Sequence, residues 1–287
     1  MTVRLPDLLD LVRAPAALTV LGDTAVGAVN ARGAAGGAAV PLALASACLY
    51  AAGMALNDYA DADLDALERP ERPIPSGRVS RKTALRTGGV LTVAGISLAF
   101  SAGKASGWVS VALAASVWTY DLVAKPTRLG PVVMAACRGL DVLMGAAGPG
   151  WQRALTPALA IAAHTGALTV VAAGEVHGTT RAAAATAAAV SVGAAAAGVV
   201  GAGAHTSAAL VGGAGYLAAT LPSQIDAARE PDAAHARSAA RHSIHAMIPL
   251  QIALVARTGA VFTTAALLGV QLAGRLLAAA RTRGDVT

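Results

Sequence analysis

The sequence predicts an all-α fold, a polytopic transmembrane bundle of nine to ten helices around a central cavity. Three observations lead there. Of 287 residues, 55% are hydrophobic and 13% charged, where soluble domains carry about 25% charged residues, and the mean hydropathy is +0.59. Apolar runs near the length of one bilayer crossing, about 20 residues, recur from end to end. Alanine and glycine are abundant and aromatic residues make up only 3%, and small side chains let membrane helices approach closely. Residues 1–287 read as one such domain, with no soluble second domain and no short-period repeat.

Taken in order, the candidate spans are 14–31, 37–57, 84–103, 107–121, 131–149, 155–174, 183–203, 206–223, 242–256 and 259–280. The ninth is short, and Arg257-Thr258-Gly259 after it is either a tight turn or a kink inside one long helix. With a cytoplasmic amino terminus, the even-numbered connections carry Arg69, Arg72, Arg78, Arg81, Lys82, Arg86, Lys125, Arg128, Arg181, Arg229, Arg237 and Arg241. The other side carries Arg32, Lys104, Arg153 and Arg257. This is the positive-inside bias, and a tenth span returns Arg281 and Arg283 to the same side. No cleavable signal peptide is expected, because Met1 to Asp10 is mixed and acidic. The expected location is the bacterial cytoplasmic membrane, with the active site on its cytoplasmic side.

A net charge of +6 raises the question of nucleic acid, but the basic residues are scattered between apolar spans and form no basic face. Membrane lipids and a phosphate-bearing substrate fit that distribution better. Cys48 and Cys137 both lie in apolar context and read as packed small residues.

Residues 57–78 are the polar stretch around which the rest is arranged, and they hold six of the sixteen acidic residues. Asp58, Asp61 and Asp65 are spaced three and then four apart, so on a helix they share one face, with Asn57 one position round. Three carboxylates on one face repel unless a cation compensates them. Arg69, Arg72 and Arg78 are one possible source of that compensation. A magnesium ion is the other, since it binds through a few carboxylates and completes its shell with water and substrate phosphates.

Other ionisable residues interrupt the apolar runs. Asp23 in the first span faces the bundle interior, either as a structural hydrogen-bonding group or as a contact for an acceptor. Tyr120, Asp121 and Lys125 recur at helical spacing on the same side as the acids, where a lysine can neutralise a phosphate and a tyrosine hydroxyl can donate to it. Arg138 and Asp141 are three apart in span five and predict a mutual ion pair. Glu175, in Gly174-Glu175-Val176-His177-Gly178, can hold a metal through water, and His177 reads as an interfacial residue. Between spans eight and nine, Gln224 to His245 reads as a basic amphipathic lid at the headgroup level, and Asp226 and Arg229 complete the site if the lid folds over it. His235, His242 and His245 make no zinc set with a nearby cysteine.

Asn57-Asp58-x-x-Asp61-x-x-x-Asp65 followed by Arg69-Pro70-x-Arg72-Pro73-Ile74-Pro75-Ser76-Gly77 resembles the first aspartate motif of the UbiA superfamily of intramembrane prenyltransferases. Tyr120 and Lys125 resemble the segment whose tyrosine and lysine contact the diphosphate. Met134 to Gly145 is similar to the EboC-like branch, although Asp141 stands where that branch has asparagine. Where the superfamily carries a second D-x-x-x-D motif, this chain has the single carboxylate of Glu175. The resemblance implies magnesium-dependent transfer of an isoprenoid group from a C10 to C20 allylic diphosphate to an acceptor whose identity stays open. It implies that Asn57, Asp58, Asp61, Asp65 and Glu175 hold metal, that Asp58, Asp61, Asp65 and Lys125 are catalytic, and that Arg69, Arg72, Ser76, Tyr120 and Asp121 contact substrate, with Asp23, Arg138 and Asp141 as candidate acceptor contacts. A membrane terpene cyclase of the same superfamily, needing no acceptor, and an ion-coupled transporter are the competing readings.

Overall fold

The computed structural model describes residues 4–13 and 19–284, excepting the side chains of 275–284. Among the described residues the regular structure is helical. The elements are α1 (Leu5–Leu11), α2 (Leu21–Arg32), α3 (Ala39–Ala60), α4 (Ala62–Glu68), α5 (Arg81–Ala102), α6 (Lys104–Thr119) and α7 (Gly130–Ala146). They continue as α8 (Leu155–Ala172), α9 (Arg181–Val199), α10 (Thr206–Arg229), α11 (Ala233–His245), α12 (Met247–Ala256) and α13 (Val261–Gly284). Each apolar run of the sequence falls on a helix, but residues 14–18 of the first lie outside the described residues. The ninth run is not one helix: α11 stops at His245 and α12 begins at Met247. Arg257-Thr258-Gly259 forms a turn, with Gly259 at φ 74°.

Among the described residues, five segments are long and apolar enough to cross a bilayer: Ala39–Ala60, Arg81–Ala102, Lys104–Ala124, Trp151–Ala172 and Arg181–Val199. Their outer faces are greasy. Val90, Val93, Trp108, Leu159 and Val192 are all at least 49% exposed, while Asp23, Asp141, His164 and Gln251 are buried. A water-soluble domain shows the opposite pattern, and the inversion marks an integral membrane protein.

Helix ends that meet polar surroundings are capped. Ser80 Oγ accepts from the Thr83 amide at 3.1 Å, Thr180 Oγ1 from Ala183 at 3.1 Å, and Asp232 Oδ1 from His235 at 2.8 Å. These caps start α5, α9 and α11. Antiparallel alternation puts those starts at the same end of the bundle as the C-termini of α3, α6, α8 and α10.

Two apolar cores flank α7. Leu42, Ala45, Leu49, Ala99, Leu113 and Met144 form one, and Val26, Val142, Ile161, Tyr216, Leu250 and Leu254 the other. Helix α2 crosses α7 backbone to backbone. A Cβ on Gly27 would lie 1.9 Å from the Val142 carbonyl oxygen, and one on Gly145 would lie 2.0 Å from the Thr24 carbonyl oxygen. Only glycine permits that approach, which brings the polar groups of α2 and α7 together in the centre of the bundle.

Candidate active site at one end of the bundle

Helix α3 runs for 22 residues, about 33 Å at 1.5 Å per residue, and ends at Ala60. Asp61 forms the joint to α4. The i to i−4 pattern survives the bend, with the Asp61 amide on Asn57 O at 2.9 Å and the Asp65 amide on Asp61 O at 2.8 Å. The one continuous helix expected under the three aspartates is therefore broken at the middle one. Pro70, Pro73 and Pro75 stop α4 from continuing, and Gly77, at φ 75°, supplies the left-handed residue that closes the turn into α5.

The turn places arginine above the acids. Arg72 Nη1 lies 2.7 Å from Asp65 Oδ2 and 3.5 Å from Asp58 Oδ1. Asp58 and Asp65 are 3% and 2% exposed, so this is a nearly desolvated three-centre contact. Arg69 Nη1 stands off Asp65 at 3.9 Å. Lys125 Nζ meets Asp61 Oδ2 across the site. The segment preceding Lys125 is a single π turn over Tyr120–Ala124, in which the Lys125 amide reaches Tyr120 O at 2.9 Å. The extra residue in that turn re-aims the side chains at the end of α6. Asp121, 6% exposed, faces Asn57, whose Nδ2 donates to its Oδ1 at 3.5 Å.

Arg13 was not anticipated. Its Nη2 donates to Asp58 Oδ1 at 2.9 Å and to Asn57 Oδ1 at 3.4 Å, from a backbone at φ 47° just after α1. A non-glycine residue in that region is strained by about 1 kcal/mol or more, a cost offset by two charge-assisted contacts. Nothing local in the sequence ties Arg13 to acids 45 residues away.

Sequence and structure part at several positions. Ser76 does not face the acids: its hydroxyl donates to Arg72 O at 2.6 Å and accepts from Arg78 Nε at 3.1 Å, so it braces the turn that carries Arg72. Arg78 itself pairs with Asp7 and Asp10 of α1 at 3.1 and 3.0 Å, away from the aspartate motif. The Tyr120 hydroxyl has no hydrogen-bond partner among the described residues, although Asp61 and Asp121 are near enough to act on it electrostatically. Asp226 and Arg229 pair weakly with each other at 3.9 Å and are 57% and 76% exposed, so the lid does not bring them over the site. Glu175 lines a separate cavity with Arg237, Arg241, Ile244 and His245. Among the described residues, three His, Cys or carboxylate ligand atoms come within 4.8 Å of one another only at Glu230, Asp232 and His235. That group is exposed and is accounted for by the cap of α11 and by the His235 Nδ1 to Asp232 Oδ2 pair at 3.0 Å.

A second polar layer lies deeper. Ser46, Tyr50, Asn57 and Asp61 share one face of α3, and Ser46 is about 16 Å from Asn57 along the helix. The expected Arg138–Asp141 pair does not form. Arg138 Nη2 turns to Asp23 Oδ2 at 2.9 Å and to Thr19 O at 3.1 Å, and Asp141 Oδ2 accepts from Ser46 Oγ at 2.6 Å. Gln251 Nε2 completes the layer, donating to Asp23 Oδ1 at 2.6 Å and to Thr19 O at 2.8 Å. The i, i+3 partner loses because the close α2–α7 crossing offers Arg138 a carboxylate that is otherwise wholly buried. Ser46 and Gln251 were the missed members, and the only sequence signal was a polar residue inside an apolar run.

The donor set suits a divalent cation. Among the described residues Asp121 has no basic group within 4.0 Å; Asn57 donates to it and accepts from Arg13, which also donates to Asp58. Hard oxygen donors are what magnesium accepts, although among the described residues no three of the carboxylates of Asp58, Asp61, Asp65 and Asp121 converge within 4.8 Å of one another, and Asp58, Asp61 and Asp65 would have to leave their basic partners to do so.

Comparison with known proteins identifies the family. The model of the UbiA prenyltransferase family matches residues 20–248. The chain belongs to the UbiA prenyltransferase family. Digeranylgeranylglyceryl phosphate synthase of Korarchaeum cryptofilum is 36% identical over 112 residues, which is 39% of this chain and 40% of that protein. A 4-hydroxybenzoate octaprenyltransferase of Yersinia pseudotuberculosis is 34% identical over 99 residues, 34% of each chain. The chain thus spans between a third and two fifths of the length of these curated relatives. In fold it resembles a UbiA homologue from Aeropyrum pernix K1, with a TM-score of 0.67 at 18% identity over 83% of this chain and 96% of that one. It also resembles a structure of a digeranylgeranylglyceryl phosphate synthase, with a TM-score of 0.65 at 16% identity over 88% and 98% of the two chains. These matches establish the family and the fold, without singling out the EboC-like branch.

Proposed function

We propose that this UbiA-family protein transfers an isoprenoid group from a C10 to C20 allylic diphosphate to an acceptor within the membrane, with Mg2+ as cofactor. The supporting observation is the interleaving of acids and bases: Asp58 with Arg13 and Arg72, Asp65 with Arg72 and Arg69, Asp61 with Lys125. Such a site is balanced when empty and can exchange partners. The carboxylates of Asp58, Asp61, Asp65 and Asp121, with Asn57, would hold the metal, and Arg72, Lys125 and Arg13 would turn to phosphate oxygens. Bound magnesium supplies charge neutralisation of the leaving diphosphate.

The protein groups carry the rest. Arg72 and Lys125 stabilise the negative charge that develops as the allylic C–O bond breaks, and being already fixed beside the site they need little reorganisation. The Tyr120 hydroxyl has a hydrogen bond to give to the same group. Ser76 acts indirectly, by bracing the Arg72 turn. The apolar core that includes Leu49 and Leu113 keeps water from the developing carbocation. The distribution of basic residues supports a cytoplasmic-facing site in a bacterial membrane.

Terpene cyclisation without an acceptor is the second reading. One observation favours it: Asp23, Arg138 and Asp141, the candidate acceptor contacts, are engaged with one another's helices and with Ser46 and Gln251. Purified protein, magnesium and C10, C15 and C20 allylic diphosphates form the test, with product analysis in the presence and absence of membrane-extracted acceptors. Magnesium-dependent diphosphate release that disappears in Asp61→Ala is expected. Release unaffected by both magnesium and the substitution would end the proposal, and an ion flux in vesicles would move the chain to the transporter class.

A further inference from the structure

At the same end of the bundle as the aspartate motif, but on different helices, lies a cavity of about 240 Å³ lined by Glu175, Arg237, Arg241, Ile244 and His245. Helix α11 builds one wall. Its Ala236, Ala239, Ala240 and Ser243 are buried against the bundle, so Arg237, Arg241 and His245, four residues apart in succession, form a stripe on the opposite face. The loop after α8 builds the other wall, held by the Arg237 guanidinium donating to the Glu175 carbonyl oxygen and by the Thr179 amide donating to Pro231 O at 2.9 Å.

The charges in this cavity are not spent on each other. Among the described residues, none of Arg237, Arg241 and His245 has a carboxylate within 4.0 Å, and the Glu175 carboxylate is likewise without a basic group inside that distance, although all line one space. The lining includes one apolar side chain, Ile244, which is 46% exposed. A cationic wall, one hydrogen-bond-accepting acid and an exposed apolar side chain at a helix–loop junction match an amphiphile that carries a phosphate, neighbouring hydroxyls and hydrocarbon.

We infer that this cavity binds the headgroup of an anionic glycerophospholipid of the surrounding leaflet, of the phosphatidylglycerol type. Arg241 and Arg237 take the phosphate, the Glu175 carboxylate accepts from the glycerol hydroxyls, and Ile244 meets the start of the acyl chains. Occupancy ties α11 and the loop after α8 to the membrane surface. This inference needs only the membrane setting of the fold and is independent of the reaction proposed above.

The test is native mass spectrometry of the full chain in detergent, titrated with short-chain phosphatidylglycerol or phosphatidylcholine. Arg241→Gln is the informative variant, because Arg241 makes no hydrogen bond or ion pair among the described residues and its loss leaves the fold intact, which circular dichroism verifies. The expected result is a preference for phosphatidylglycerol that Arg241→Gln weakens about fivefold, while Arg86→Gln, a basic residue elsewhere at the same end, leaves it unchanged. Equal weakening by both variants, no weakening by Arg241→Gln, or displacement of the lipid by an equal concentration of inorganic phosphate would each overturn the assignment.

Discussion

Arg72 Nη1 sits 2.7 Å from Asp65 Oδ2, and the same nitrogen is 3.5 Å from Asp58 Oδ1. One guanidinium thereby holds α4 against the end of α3. Under the proposed function, stability and substrate binding would be coupled at this residue.

Replacing Arg72 by alanine leaves two buried carboxylates short of a counter-ion, and breaking a buried pair from one side costs about 3–5 kcal/mol. Thermal unfolding in detergent should show the loss, and magnesium should restore more of it in Arg72→Ala than in the parent protein. Absence of any magnesium effect on the variant would mean that the acids do not gather metal.

Lys125→Met removes the base that faces Asp61 across the site. Diphosphate release should fall about 10²-fold or more in kcat, the usual loss of one preorganised charge donor. Lys125→Arg should recover part of it. An unchanged kcat would remove Lys125 from the reacting centre.

The deep layer makes an asymmetric prediction. Arg138→Met strands the Asp23 carboxylate and should cost about 3–5 kcal/mol. Asp141→Asn keeps an acceptor for Ser46 Oγ and should cost less than about 1 kcal/mol. A double-mutant cycle on unfolding should give a larger coupling for Arg138 with Asp23 than for Arg138 with Asp141. The reverse order would contradict the observed pairing.

Gly145→Val forces apart the α2–α7 crossing, where even a Cβ would stand 2.0 Å from Thr24 O. Overpacking of this kind costs about 1–3 kcal/mol or more. Because the same crossing brings Asp23 to Arg138, the variant should also lose the Arg138–Asp23 coupling measured in the cycle above.

At the start of α11, Asp232 accepts from the His235 amide and side chain, which lowers the Asp232 pKa from 3.8 and raises that of His235 from 6.5. The aspartate's contribution is present above its unfolded pKa and fades as pH falls through the lowered folded value. The histidine's contribution is complete below 6.5 and fades as pH rises through the raised folded value. Hydrogen exchange at the His235 amide should therefore be most protected, beyond its intrinsic pH dependence, in the mildly acidic range between those pKa values. A protection profile flat across this range would refute the coupling.

Much of this was legible in the residues. Hydropathy runs located the helices, and the aspartates, arginines and prolines of 57–78 marked the end of the bundle where acids and bases gather. The reading failed wherever a polar side chain had a choice of partner. Arg138 was assigned to its neighbour three residues on and instead crosses to Asp23, and Ser76 was assigned to substrate and instead braces Arg72.

The sequence by itself determined which segments become helices and where charge gathers, because hydropathy, helical spacing and proline act over a few residues. Which base answers which acid was decided only by the tertiary structure. Arg13 reaches Asp58 over 45 positions and Lys125 reaches Asp61 over 64. Such pairings depend on which segments meet in space, and in the deeper layer the α2–α7 crossing that brings Asp23 to Arg138 is permitted by Gly27 and Gly145, whose effect lies in the missing side chain.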